Sequence, residues 1–283
     1  MMFSICIPIY NQKLSLLVHE LHRQATATGS KFEILLIDDA SEQAYRIENQ
    51  AIKLSNVRYI QLEENIGRAK IRNLLVEESK YPCLIFMDGD MGIASNDFIQ
   101  NYVPYMKEGV VCVGGHIYED ECPDPKKRLH WKYGKKREIK AKSLQTCNFM
   151  ICKSHFDQVQ FTQALRGYGH EDTLFGIQLR EAAIPMCYID NPLIHLGLND
   201  ADVFLQRTEN ALRNLKHISQ MLQEDYYSPI LHTKRLLGRT GMIALTCLLF
   251  PIIKPLLRKN LLSKHPSLWV LNVYKFGFLC SLK

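Results

Sequence analysis

Along the first 115 residues, apolar positions alternate between two arrangements. Residues 3–9 (FSICIPI) form a short apolar run with little polar alternation, the pattern of a strand buried on both faces. Leu14, Leu17, Val18, Leu21 and Ala25 follow at helical spacing, and Gly29 ends that segment. The pattern then predicts a buried strand at 33–37 (EILLI), a weaker helix at 41–53 and a strand at 57–61. Residues 66–78 return to helical spacing through Ala69, Ile71, Leu74 and Leu75. A strand at 82–87 (PCLIFM), a helix carrying Phe98, Ile99, Tyr102, Val103 and Met106, and a strand at 110–114 complete this part. Strand alternating with helix predicts right-handed crossovers, hence an α/β fold with a mostly parallel sheet flanked by helices on both faces. In such sheets ligands bind beyond the carboxyl ends of the strands.

The second half is less regular. Residues 120–142 contain Pro123 and Pro125 and show no apolar period, which predicts a mobile loop. A strand is expected at 145–153, a helix at 171–183 and a strand at 186–190. Val203, Phe204, Ala211, Leu212, Leu215, Ile218 and Leu222 mark a long helix. From about residue 228 the composition shifts: 241–253 (GMIALTCLLFPII) are thirteen residues without charge, flanked by Arg239, Lys254, Arg258 and Lys259. As a helix this run is about 20 Å long, too short for a ~30 Å hydrocarbon core, and Pro251 and Pro255 are expected to kink it. The basic flanks, Lys264 and the aromatic Trp269, Tyr274 and Phe276 suit peripheral contact of 228–283 with a membrane surface. The competing readings are packing on the protein itself or a homodimer interface. The expected organisation is residues 1–225, divided into halves 1–115 and 116–225, followed by a helical tail 226–283.

Composition changes this picture little. The chain has 283 residues, 47% hydrophobic and 23% charged, which excludes disordered and collagen-like classes. Nine cysteines without a C-x-x-C pair, and no recognisable secretion signal, predict a cytosolic chain with reduced thiols. The net charge of +6 is concentrated in 126–142, which hold nine Lys or Arg and one Glu. One local patch without a recognised nucleic-acid module argues against a nucleic-acid partner.

Acidic side chains cluster at the predicted strand ends. Asp38 and Asp39 end the second strand, and Asp88 and Asp90 the fourth. Carboxylates after a buried strand have an electrostatic cost unless a cation or polar ligand compensates; a solvated acidic turn is the plainer alternative. A calcium loop does not fit, because the required Gly and Glu positions hold Ile93 and Ile99. A hard cation shared between one carboxylate and a substrate diphosphate fits better. Neither G-x-G-x-x-G nor G-x-x-x-x-G-K-[ST] is present: Gly167 and Gly169 form a G-x-G, but Asp172 replaces the third Gly. A second acidic pair, Glu171 and Asp172, opens a predicted helix after RGYGH, where the helix dipole alone also explains carboxylates.

These pieces resemble glycosyltransferase family 2, with its GT-A fold, over roughly residues 3–200. The segments that carry the likeness are ICIPIYN; EILLIDDAS, with Ala40 where Gly is usual; NIGRAKIRN; FMDGD, similar to the family's D-x-D; CNFMICKSHF; and GYGHED, similar to its E-D motif. The Q-x-x-R-W pattern of processive synthases is absent, which argues for addition of one or a few sugars. The resemblance implies a GT-A type, Rossmann-like catalytic region that inverts the anomeric carbon of a nucleotide-diphospho-sugar, with UDP the expected nucleotide. It implies Asp39, Pro8, Tyr10 and nearby Asp38 around the base, Arg68 or Arg72 near the nucleotide, and Asp88 at the ribose or donor sugar. Asp90 would hold Mn2+ or Mg2+, with His195 a further ligand or phosphate contact. Glu171 would contact the acceptor and Asp172 would be the general base. Cys147 and Asn148 would line the donor-sugar pocket, while Gly169 and His170, the latter in place of a common Gly, would shape the acceptor site. The acceptor would be a glycan or lipid-linked hydroxyl, in cell-surface polysaccharide synthesis at the inner face of a membrane. The alternatives are a sugar nucleotidyltransferase, for which PIYNQK is a poor basic loop, and an inactive transferase-like binding protein.

Overall fold

The computed structural model describes all residues except 107–108, 141–142, 164, 166–168, 222–227, 239 and 283. Leu222, Arg239, Gly167, Tyr168 and Lys142, named above, lie outside the described residues. Contacts divide the chain into two compact units. The first comprises Met1–Tyr118, Ala141–Ala164 and Glu171–Gly197; the second comprises Glu119–Lys140, Leu165–His170 and Leu198–Lys283. In this division the long helix and the basic segment fall in the same unit as the tail.

The first unit carries β1 (Met2–Ile9), α1 (Ser15–Ala27), β2 (Lys31–Asp38), α2 (Gln43–Gln50), β3 (Val57–Gln61), α3 (Arg68–Glu78), β4 (Cys83–Met87), β5 (Met91–Ile93), β6 (Val111–Val113) and β7 (His116–Ile117). The second unit begins with α4 (Arg128–Lys136). Back in the first unit are β8 (Asn148–Cys152), α5 (Glu171–Glu181), β9 (Met186–Tyr188) and β10 (Leu193–His195). The second unit closes with α6 (Ala201–Met221), α7 (Pro229–Gly238), α8 (Met242–Leu261) and α9 (Leu268–Ser281).

Seven strands form the main sheet in the order β3-β2-β1-β4-β8-β6-β9. β8 runs antiparallel to both its neighbours and the other pairings are parallel. Period-two alternation divides each central strand between two cores. Phe3, Ile5 and Ile7 of β1, with Ile34 and Leu36 of β2 and Ile85 of β4, pack on Leu14, Val18 and Leu21 at α1. Cys6, Leu35, Ile37, Leu84 and Phe86 point to the opposite face, against Ile71 and Leu75 of α3 and Phe175 and Leu179 of α5. Both faces are covered, so the strands read as unbroken apolar runs. A second sheet, β5-β10-β7, holds three short strands. The helix expected around Phe98–Met106 is only a 3-10 segment, Gln100–Tyr105, with Pro104 inside it. That proline lacks the N–H an α-helical bond needs.

In the second unit, α4 replaces the loop expected within 120–142. Leu129 and His130 are buried and Tyr133 packs beside them, so three neighbouring positions on one helical face outweigh the surrounding charge. The His130 ring stacks on Phe204 at 4.7 Å, and its Nδ1 accepts the Asn199 N–H at 2.9 Å. α8 runs through Pro251 and Pro255 without ending. Among the described residues no single helix is long and apolar enough to cross a membrane. No disulfide is formed among the described residues.

Candidate active site

The carboxyl ends of β1, β2 and β4 place the candidate residues. At the end of β2 the two aspartates have separate tasks. Asp38 is fully buried, and its oxygens accept the Ser41 N–H at 2.7 Å and the Tyr59 hydroxyl at 2.7 Å. It therefore braces the loop rather than facing a ligand. Asp39 accepts the Ile66 and Gly67 N–H groups at 2.7 and 3.1 Å, tying the strand end to the start of α3. Burial pushes the Asp39 carboxyl up, against the lowering effect of those two N–H groups. Pro8 lies within β1 opposite Ile37, and Tyr10, just after the strand, is exposed. Ala40 has φ +60°, the left-handed region that explains why Gly is usual there.

Arg68 is the first residue of α3, and Arg72 lies one turn further along. Arg72 is buried and donates to Asp88 Oδ1 at 2.8 Å, while its Nε has no partner. Its guanidinium sits 5.7 Å from the centre of the Phe161 ring. Asp88 thus has one oxygen held rigidly from behind.

Asp90 lies in the turn between β4 and β5, and its carbonyl accepts the Leu196 and Gly197 N–H groups at 3.0 and 3.2 Å. The antiparallel register of β5 and β10 sets His195 opposite Met91, so His195 Nε2 comes to 3.8 Å from Asp90 Oδ2. The other oxygen of Asp90 is buried without a hydrogen-bond partner among the described residues. Burial by itself would raise Asp90, but His195 and the Arg68 charge outweigh it and hold the carboxyl below its usual range. A β-carbon at Gly197 would collide with the Asp90 carboxylate, so only glycine allows this approach.

His195 is itself oriented from behind. Its Nδ1 meets the Tyr118 hydroxyl at 3.1 Å, and His116 from β7 packs edge-on at 5.7 Å between ring centres. His116 Nδ1 in turn meets Gln145 Oε1 at 3.1 Å and Cys147 Sγ at 3.6 Å. Burial raises the Cys147 thiol, and the charges of Asp88, Asp90 and Asp172 raise it further.

Asp172 opens α5. Its Oδ1 accepts the Thr173 N–H at 2.7 Å, and burial raises its carboxyl despite that bond and the charges of Arg72 and Arg68. Glu171 precedes it on the same first turn. Asn148 has a different place from the one expected. It is fully buried, with its oxygen on the Tyr102 hydroxyl at 2.7 Å and its amide on the carbonyls of Gly115 at 2.7 Å and Asn191 at 2.8 Å. Its hydrogen-bonding capacity is spent inside the fold, so it braces β8 and does not line a donor-sugar pocket. Gly169 and His170 belong to the second unit, where the Gly169 carbonyl accepts Asn214 Nδ2 at 3.0 Å. Both have positive φ, 107° and 72°, which is why Gly is common at the His170 position.

The buried, unpartnered Asp90 oxygen beside an imidazole nitrogen fits a divalent cation. No set of three or more His, Cys, Asp or Glu converges on one metal position among the described residues. Two protein ligands still suffice for a cation that takes the rest of its shell from substrate phosphates and water. Sequence reasoning missed Tyr118, His116 and Gln145: β7, which carries His116, has only two residues, and the other two lie outside any strand.

A model of glycosyl transferase family 2 matches residues 4–166. Over 67 residues the chain is 37% identical to a teichoic acid poly(glycerol phosphate) polymerase of Staphylococcus epidermidis, a stretch covering 23% of this chain and 9% of the polymerase. The mannosyltransferase PcManGT from Pyrobaculum calidifontis, in complex with GDP-Man and Mn2+, superposes with a TM-score of 0.62 at 12% identity, covering 99% of this chain and 85% of that one. S. aureus TarS 1-349 in complex with UDP-GlcNAc gives a TM-score of 0.51 at 17% identity, covering 80% and 68%. These structural likenesses establish a shared fold.

Proposed function

This chain belongs to glycosyltransferase family 2, and from that premise we propose that it is an inverting, divalent-metal-dependent transferase moving one sugar from a nucleoside-diphosphate donor to a hydroxyl of a glycan or lipid-linked acceptor. The observation that carries this reading is the buried Asp90 oxygen, without a hydrogen-bond partner among the described residues and set beside His195. A buried carboxylate oxygen without a protein partner calls for a ligand that supplies one, and a cation does so.

Asp90 and His195 would hold Mn2+ or Mg2+. When bound, the cation offsets the charge that builds on the departing diphosphate. Arg68, at the start of α3, adds positive charge near the same group. Asp39 and Tyr10 frame the nucleotide base beside Pro8, with Asp39 fixed by the α3 entry. Asp88, held by Arg72, faces the ribose or donor sugar. Asp172 takes the proton of the acceptor hydroxyl as the new bond forms, worth roughly 10²–10⁴-fold. Its raised proton affinity brings it closer to the operating pH, which favours that role. Attack opposite the leaving group inverts the anomeric carbon, and Glu171 contacts the acceptor.

The absence of Q-x-x-R-W supports addition of one or a few sugars. The similarity to a teichoic acid polymerase supports a place in cell-surface polymer synthesis at the inner face of a membrane. UDP is favoured as the nucleotide, in line with the UDP-GlcNAc complex of TarS. The test is a panel of UDP-, GDP- and CMP-sugars incubated with the protein, with and without Mn2+. One donor should be hydrolysed slowly in the presence of metal, releasing free nucleoside diphosphate; sugar-nucleotide synthesis from a nucleoside triphosphate and a sugar phosphate would instead establish a nucleotidyltransferase.

A further inference from the structure

α8 leaves an apolar face uncovered. Leu245, Leu248, Leu249, Ile252 and Leu256 recur at helical spacing, and all are exposed, Leu248, Ile252 and Leu256 to about 70%. Trp269, at the start of α9, is exposed to 71%. The opposite side of α8 packs on its own unit through Phe250 and Leu261.

The charge around this face is one-sided. Residues 228–283 contain nine Lys or Arg and no Asp or Glu. Two of these cations point inward onto carboxylates of α6: Lys254 to Glu209 at 3.1 Å, and Arg258 to Asp202. Arg235, Lys259 and Lys264 are exposed instead. A second copy of the same face would bring these cations against each other, with no carboxylate in the segment to offset them. An exposed apolar stripe in a segment whose only charged side chains are Lys and Arg suits a different occupant, the surface of an anionic bilayer, where the stripe enters the acyl boundary and the cations meet phosphate headgroups.

We propose that the exposed face of α8, with Trp269 and the cations Arg235, Lys259 and Lys264, docks the enzyme on an anionic lipid bilayer, α8 lying in the plane of the interface. This goes beyond the catalytic reading and does not depend on it.

The test is flotation of the full chain with vesicles of phosphatidylcholine alone or mixed with phosphatidylglycerol, at low and high salt. The wild type should float with the mixed vesicles at low salt and remain below with neutral ones. L248D/I252D should lose at least ~10-fold in partitioning while keeping the wild-type circular dichroism. R235Q/K259Q/K264Q should lose roughly fivefold per cation and flatten the salt dependence. Because both variants change exposed side chains, folding is monitored directly by the dichroism spectrum and Tm. Wild type that fails to float with anionic vesicles at low salt overturns the proposal, as does L248D/I252D floating like the wild type. A wild-type dimer that L248D/I252D converts to a monomer also overturns it, in favour of self-association.

Discussion

His195 presents Nε2 to the Asp90 carboxylate at 3.8 Å, and the pairing of β10 with β5 fixes that approach. Asp90 is held by its own carbonyl bonds to Leu196 and Gly197, so the strand that carries the imidazole also clamps the carboxylate. On the proposed reading, the Asp90 oxygen that has no hydrogen-bond partner among the described residues is where a divalent cation would bind.

Tyr118 acts through His195. Its hydroxyl at Nδ1 fixes the ring orientation and leaves Nε2 toward Asp90. Loss of such an outer partner weakens metal binding about 10–100-fold. Tyr118→Phe should therefore lower the affinity for Mn2+ in the presence of nucleoside diphosphate, measured by electron paramagnetic resonance, with little change in Tm. An unchanged affinity would show that the hydroxyl does not orient the imidazole.

Asp172→Asn should separate chemistry from stability. Removing a base with donor contacts kept should lower kcat by roughly 10²–10⁴-fold and leave the donor KM near its original value. Burial raises the Asp172 carboxyl in the folded state, so the native chain binds that proton more tightly than the unfolded one. Its ionisation accordingly subtracts stability as pH rises from the unfolded value, about 3.9, through the raised folded value. At neutral pH the uncharged Asn should raise Tm, and below the unfolded value the gain should vanish. A lower Tm at neutral pH would contradict the burial argument. The acid limb of kcat should lie above the range of an ordinary carboxylate for the same reason.

Asp88→Ala removes the partner of the buried Arg72 guanidinium, whose Nε already lacks one. Breaking a buried pair from one side costs about 3–5 kcal/mol, and the lower end applies here because Asp88 retains contact with water. Urea unfolding should show that loss. Replacing both residues together, Arg72→Met with Asp88→Ala, should recover part of it; a double variant less stable than Asp88→Ala alone would rule out the stranded charge as the cause.

The main sheet was legible because its central strands are buried on both faces, and runs such as FSICIPI and EILLI carry that signal without tertiary information. The strand-end acids were legible as a cluster, but not their division of labour. Asp38 and Asp39 are adjacent and chemically alike, and only the positions of Tyr59, Ser41 and the α3 entry assign one to the scaffold. The family resemblance implied a pocket role for Asn148, whereas Tyr102 and two carbonyls satisfy it from elements distant in the chain. α4 was hidden by its own composition: its charge masks a buried face of Leu129 and His130. The β5-β10-β7 sheet, which assembles the Asp90–His195 pair, consists of strands of three and two residues, too short for any period to register.

The central claim is that Asp90 serves a cation needed for sugar transfer. Its most direct test is nucleoside-diphosphate release from the matching nucleotide sugar, titrated with Mn2+, for the wild type and Asp90→Asn in parallel. The wild type should show saturable dependence on Mn2+ that chelation abolishes. Asp90→Asn, folded by circular dichroism, should release no diphosphate above background at any Mn2+ concentration. Full turnover by Asp90→Asn in Mn2+, or wild-type turnover undiminished by chelation, would contradict the account.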